Sequence, residues 1–137
     1  MFREELFFLS NFYPCQIVVD GICFPTSEHL YQYLKAGNGE SRQLVLTQPT
    51  PSEAKKITAS PAFTPRPDWQ EVKLGEMEFV LRQKFSQPDL IVMLLAAGDM
   101  ELVEDNDWDD TYWGVCNGIG ENNLGKLLMK IRAQARF

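Results

Sequence analysis

From Asp68 to Ser86 the chain runs without a proline, between Pro67 and Pro88. Along it Trp69, Val72, Met77, Val80, Leu81 and Phe85 recur at the spacing of one helical face. A helix of that length with an apolar stripe has to bury the stripe against other elements of the same core. The neighbouring segments supply them. Pro88 opens a further helix through Leu90, Leu94 and Leu95, and Gly98 closes it. Leu124, Leu127, Leu128, Ile131 and Ala135 give a last helix, Asn123–Ala135, with one buried face.

The first half reads as shorter pieces. Gln16–Asp20 and Ile22–Pro25 are rich in branched and aromatic residues and meet at Asp20-Gly21, a hairpin signal. A helix over 27–36 follows, with Thr26 as N-cap and Gly37 as its stop. A second is expected over 40–47. A third starts at Thr50-Pro51-Ser52-Glu53, a capping box with proline at the first helical position. Residues 60–67 form an irregular loop, Glu101–Glu104 a short strand, and 105–123 a long polar, aromatic loop. The expectation is a mainly α single domain over 1–137 with a small antiparallel β element, an α+β fold.

Composition excludes more than it assigns. The formal net charge of −6 argues against a protein that grips duplex DNA across many phosphates. No apolar run is long enough to span a bilayer, and the N-terminus is acidic where a signal peptide is basic, so a soluble, cytoplasmic protein is expected. Cys15, Cys23 and Cys116 lack metal-knuckle spacing and read as small buried hydrophobes in a reducing compartment. His29 is the only histidine, and no nucleophile-elbow motif accompanies it.

Three stretches could carry chemistry. In Ser27–Lys35, Gln32 and Lys35 each lie within ~40° of Glu28 around a helix, which lines up an acid, an amide and an amine. The plain alternative is that Glu28 and Lys35 complement the two ends of the helix dipole. In 104–114, Asp105, Asp107 and Asp109 imitate a calcium loop. Asp110 replaces its glycine and Cys116 its closing glutamate, so no metal is expected. What remains is an acidic loop carrying Trp108, Tyr112 and Trp113. In 118–125, a glycine-bearing turn before the last helix offers backbone N–H groups to an anion, with Asn122 as a plain N-cap the alternative.

The residues also match a family. The segment Phe8-Leu9-Ser10-Asn11-Phe12 and the block Pro25-Thr26-Ser27-Glu28-His29-x-Tyr31-Gln32-x-x-Lys35-Ala36 resemble the NADAR (YbiA-like) family. So do Arg66-Pro67-Asp68-Trp69-x-x-Val72-Lys73, Lys84-Phe85, Leu102-Val103-Glu104, Tyr112-Trp113-Gly114 and the block from Gly120 to Arg132. These blocks occur in the family's order over about residues 7 to 132. The resemblance implies N-glycosidase activity on a ribose–nitrogen bond without a cofactor. The substrate would be ADP-ribose on guanine or, as the alternative, a phosphoribosylamino-pyrimidine intermediate of riboflavin synthesis. It implies Glu28 as the acid, Lys35 as an amine that forms a Schiff base with the sugar, and Asp109 or Asp110 as an acid of the late loop. Around the substrate it implies Asn11, Phe12, Gln32, Arg66, Trp69, Lys73, Tyr112, Trp113, Gly114, Asn122 and Asn123. Its partners would be a small ribosyl substrate or ADP-ribosylated bases of a nucleic acid. Two non-enzymatic readings stand beside it: an idle ADP-ribose or nucleotide reader, and a structural or partner-binding protein.

Overall fold

The structure, a computed structural model, describes residues 2–136. Its elements are a 3₁₀ helix (Glu4–Leu9), then β1 (Pro14–Val19), β2 (Ile22–Thr26), α1 (Ser27–Lys35), α2 (Gly39–Leu46) and α3 (Pro51–Ile57). They are followed by α4 (Trp69–Lys84), α5 (Pro88–Ala96), β3 (Asp105–Asn106), β4 (Val115–Cys116) and α6 (Asn123–Gln134). The fold is mainly helical with a small antiparallel pair, as expected. The chain divides into two compact units, residues 11–80 and residues 1–10 with 81–137, and the boundary falls inside α4.

The unit of residues 11–80 is built on the hairpin and α1–α3. β1 and β2 pair antiparallel, with Val19 opposite Ile22 across a turn in which Asp20 and Gly21 both take positive φ. This is the twist that two-residue hairpins require. Thr26 caps α1 by accepting from the His29 backbone N–H, and Asn38 does the same for α2 through Ser41. The Thr50 hydroxyl accepts from the Glu53 N–H and donates 2.8 Å to the Glu53 carboxylate, which starts α3. Behind these helices Ala36, Val45, Ala54 and Phe63 form one buried cluster.

In the other unit, Phe8, Leu81, Phe85, Leu90, Leu94, Leu102, Leu124, Leu127, Leu128 and Ile131 are buried, so the apolar stripes of α5 and α6 point inward as the spacing required. Phe8 meets Phe85 edge to face at 6.4 Å.

Several expectations need correction. Glu101–Glu104 is not a strand: the extended pairing sits one step later, where Asp105–Asn106 runs parallel to Val115–Cys116 inside the expected loop. Gly37 does not stop α1 by a left-handed turn. A Cβ there would sit 2.8 Å from the Pro65 carbonyl oxygen, so glycine is needed for close approach of the 64–66 segment, which bonds back through Gly37 N–H to Thr64 O and Arg66 N–H to Lys35 O. Of the cysteines only Cys116 is buried. Cys23 is exposed because strand alternation turns Phe24 inward and its neighbour out. The inward face of α4 also includes Lys84, which is fully buried. Its ammonium donates 2.9 Å to the Ser10 carbonyl and lies 5.3 Å from the Phe85 ring.

Candidate active site

α1 is a polar helix that is nonetheless largely buried. Ser27, Glu28, His29, Leu30, Tyr31 and Gln32 are all inside. Its entry is fixed by Asn11, whose backbone carbonyl accepts from the Glu28 N–H at 3.0 Å and whose Oδ1 accepts from the Ser27 hydroxyl at 2.8 Å. The Asn11 Nδ2 points at the Met77 sulfur, 3.5 Å away. The amide expected to touch substrate is thus already engaged in holding the helix that carries Glu28. His29 is equally committed. Its Nε2 lies 2.9 Å from the Gln48 carbonyl and must donate to it, and its Nδ1 lies 2.7 Å from the Thr26 hydroxyl. The single histidine is a structural brace.

Glu28 is 7 % exposed. Gln32, one turn on, donates 2.7 Å to its Oε2. Burial is the main influence on this carboxyl and pushes it above the usual carboxylate range. The Gln32 hydrogen bond, Lys55 of α3 and Lys35 pull the other way. Lys35, at the end of α1, is half-buried, and burial pushes its ammonium below the usual lysine range. Glu28 opposes that shift and Lys73 of α4 adds to it. Burial thus favours the acid form of Glu28 and the neutral form of Lys35, the forms that proton transfer to a leaving nitrogen and attack on a sugar carbon use. Lys55 is the member of this cluster that sequence spacing did not bring forward. Its charge is felt by Glu28 because α3 packs on α1.

Around this line, Tyr31 lies between Glu28 and Lys35 in sequence, and its ring stacks at a tilt on Trp69, centroids 5.1 Å apart. Trp69 is buried, so it forms wall rather than open platform. Arg66 approaches the end of α1 through its backbone. Its guanidinium is gripped by Asp68 (2.7 and 3.0 Å), with Glu76 at 3.7 Å. Lys73 and Phe12 are half-buried.

The other unit carries the late loop. The Asn106 Oδ1 accepts from the Trp108 and Asp110 N–H groups, and the Asp110 Oδ1 accepts from the Tyr112 and Trp113 N–H groups. Asp110 therefore shapes the loop, while Asp109 is exposed at φ 63° with the Cys116 thiol 3.8 Å from its Oδ1. Tyr112 and Trp113 pack edge to face at 4.8 Å. A Cβ on Gly114 would fall 2.1 Å from the Glu104 carbonyl oxygen, so this glycine lets two backbone segments touch. Glu104 is an acid the sequence did not single out. Burial pushes its carboxyl up, with Asp110 and Asp105 acting in the same direction.

The start of α6 does not present the open anion nest the sequence suggested. The Asn122, Asn123 and Leu124 N–H groups donate to the carbonyls of Gly114, Tyr112 and Trp113. The Asn122 side chain makes no cap: its Oδ1 accepts from the Glu104 N–H and its Nδ2 donates to the Leu102 carbonyl.

The NADAR domain family model matches residues 1–136. The chain belongs to the NADAR family. It is 39 % identical over 129 residues to "Riboflavin biosynthesis protein VVA0006" of Vibrio vulnificus, covering 93 % of this chain but 35 % of that protein, so it spans about a third of that relative. It is 38 % identical over 127 residues to the N-glycosidase YbiA of Escherichia coli, covering 91 % of this chain and 79 % of YbiA. The solution NMR structure of E. coli YbiA superposes with a TM-score of 0.85 at 34 % identity, covering 98 % of this chain and 80 % of that one. The NADAR relatives named here include N-glycosidases and riboflavin-biosynthesis proteins. Among the described residues, no helix is long and apolar enough to cross a membrane.

Proposed function

We propose that this NADAR chain is an N-glycosidase that hydrolyses a ribose–nitrogen bond, with Glu28 and Lys35 as its catalytic pair. The observation that carries this reading is the opposed perturbation of two groups on one face of α1: a buried acid pushed up and an amine pushed down. Cleavage places positive, oxocarbenium-like character on the ribose C1. In its acid form Glu28 gives a proton to the departing nitrogen, and as a carboxylate it then faces the developing charge. Neutral Lys35 attacks C1 as the C1–N bond breaks, so that the base leaves as the free amine. Ring opening and loss of the Lys35 proton give a Schiff base that water hydrolyses, returning the amine and the sugar. Lys73 and Lys55 keep cationic charge near the pair, which suits an anionic, phosphate-bearing sugar. In the late loop of the other unit, Asp109, Tyr112 and Trp113 are proposed as further functional residues.

The proposed substrate is ADP-ribose joined to guanine, with the phosphoribosylamino-pyrimidine of riboflavin synthesis as the second reading. The second reading is favoured by the riboflavin name of the Vibrio relative. The test offers both substrates to the purified chain and follows base and sugar release by mass spectrometry, with Glu28→Gln as control. Release of base from one substrate by the wild type and not by the variant is expected. Binding of ADP-ribose without any release of base would leave a reader in place of an enzyme. Borohydride with substrate should trap an adduct on Lys35, and its absence would leave water as the direct attacker.

A further inference from the structure

Gln32 is 5 % exposed, and its two amide atoms have different fates. Nε2 donates 2.7 Å to Oε2 of Glu28. Oε1 is shut off from solvent and, among the described residues, has no hydrogen-bond partner. A buried carbonyl oxygen without a donor is destabilising, and few such atoms persist in native structures without a use. The amide keeps this orientation because Nε2 donates to Oε2 of Glu28, an oxygen that accepts both in a carboxylate and as the carbonyl oxygen of the acid. Glu28 thus fixes an acceptor beside itself.

Resting on the reading of Glu28 as the acid that works at the ribose C1, we infer that Oε1 of Gln32 accepts the hydroxyl on C2 of the ribose and makes the site selective for ribosyl over 2-deoxyribosyl substrates. The C2 hydroxyl is the sugar donor bonded next to the reacting carbon, so an acceptor adjoining Glu28 is placed for it. Charge on C1 acidifies that hydroxyl, and hydrogen bonds to it strengthen toward the transition state of glycoside cleavage. Oε1 is closed to solvent in the free protein, so on this reading the bond forms only as the substrate enters. A site built around a hydroxyl rejects the analogue lacking it because the acceptor is then left unpaired.

The test compares a 5-phosphoribosylamino-pyrimidine with its 2-deoxyribosyl counterpart, in wild type, Gln32→Met and Gln32→Glu. The readout is the ratio of the two kcat/KM values within each protein, so a lower folded fraction cancels and the greater intrinsic lability of deoxyribosides is common to all three. Gln32→Met should shift that ratio toward the deoxy substrate by roughly 10- to 100-fold. Gln32→Glu, which retains an acceptor oxygen, should keep most of the wild-type ratio. If Gln32→Met slows both substrates equally, the acceptor serves another donor, such as the N–H of the leaving base, and the inference is overturned while the glycosidase reading stands. If the wild type releases no base from either compound or from ADP-ribosylated guanine, the glycosidase reading fails and this inference falls with it.

Discussion

Replacing Glu28 by glutamine should stabilise the protein while removing its activity, and the gain should depend on pH. In the wild type the Glu28 carboxyl is raised by burial. A raised carboxyl favours the fold below its unfolded value, near 4.5, and that contribution is lost as pH rises through the folded value. As pH rises above the unfolded value the folded protein therefore loses stability, up to a limit of about 1.4 kcal/mol for each pH unit by which the carboxyl is raised. The attractions to Lys55 and Lys35 are already included in that balance, so the net sign is unfavourable. A glutamine at 28 removes the charge. It still accepts from Gln32 Nε2, and its own amide can donate to the unpaired Gln32 Oε1, relieving about 1 kcal/mol or more. At pH 8 the gain is this amide pair together with the whole cost of the raised carboxyl, so the rise in Tm exceeds the roughly 3–5 °C that the amide pair alone contributes in a domain of this size. At pH 3.5, where the wild-type carboxyl is largely protonated in both states, only the amide pair remains, about 1 kcal/mol and roughly 3–5 °C. Calorimetry of both proteins at pH 3.5 and 8 decides it. A lower Tm for the variant at pH 8, or an equal difference at both pH values, would refute the claim that Glu28 is a strained, desolvated acid.

Further outcomes follow from the same contacts. Lys73 pushes the Lys35 ammonium down, so Lys73→Met should raise the pH at which Lys35 loses its proton. The acid limb of the kcat/KM profile should move upward with it, and an unmoved limb would detach Lys73 from the amine. Lys84→Ala removes a fully buried side chain and leaves the Ser10 carbonyl without its ammonium donor. A loss of about 2–5 kcal/mol is expected in urea unfolding. Gly114→Ala drives a Cβ to 2.1 Å from the Glu104 carbonyl and should lower stability by about 1–3 kcal/mol, read as a lower urea midpoint at unchanged slope.

The sequence by itself determined the elements whose signals are local. The Asp20-Gly21 turn, the Thr26 and Thr50 caps and the proline starts of α3 and α5 all depend on residues within a turn of one another, and each stands where it was expected. The Glu28–Gln32–Lys35 line was legible for the same reason, since helical spacing alone sets which side chains share a face. What spacing could not give is which way that face turns. The dipole reading would leave Glu28 and Lys35 in water, and only the burial of α1 raises one group and lowers the other. Tertiary contacts also decided roles that local patterns misread. Gly37 serves close approach to Pro65 rather than a left-handed stop, and Asn122 ties Leu102 to Glu104 rather than capping α6. The α6 N–H groups answer carbonyls from residues 112–114 rather than an anion. Each of these depends on a partner distant in sequence or brought in by a loop, and neither periodicity nor propensity carries information about such partners. The unpaired Gln32 oxygen belongs to the same class: its chemistry is written at one position, but its isolation exists only once the surrounding chain has closed over it.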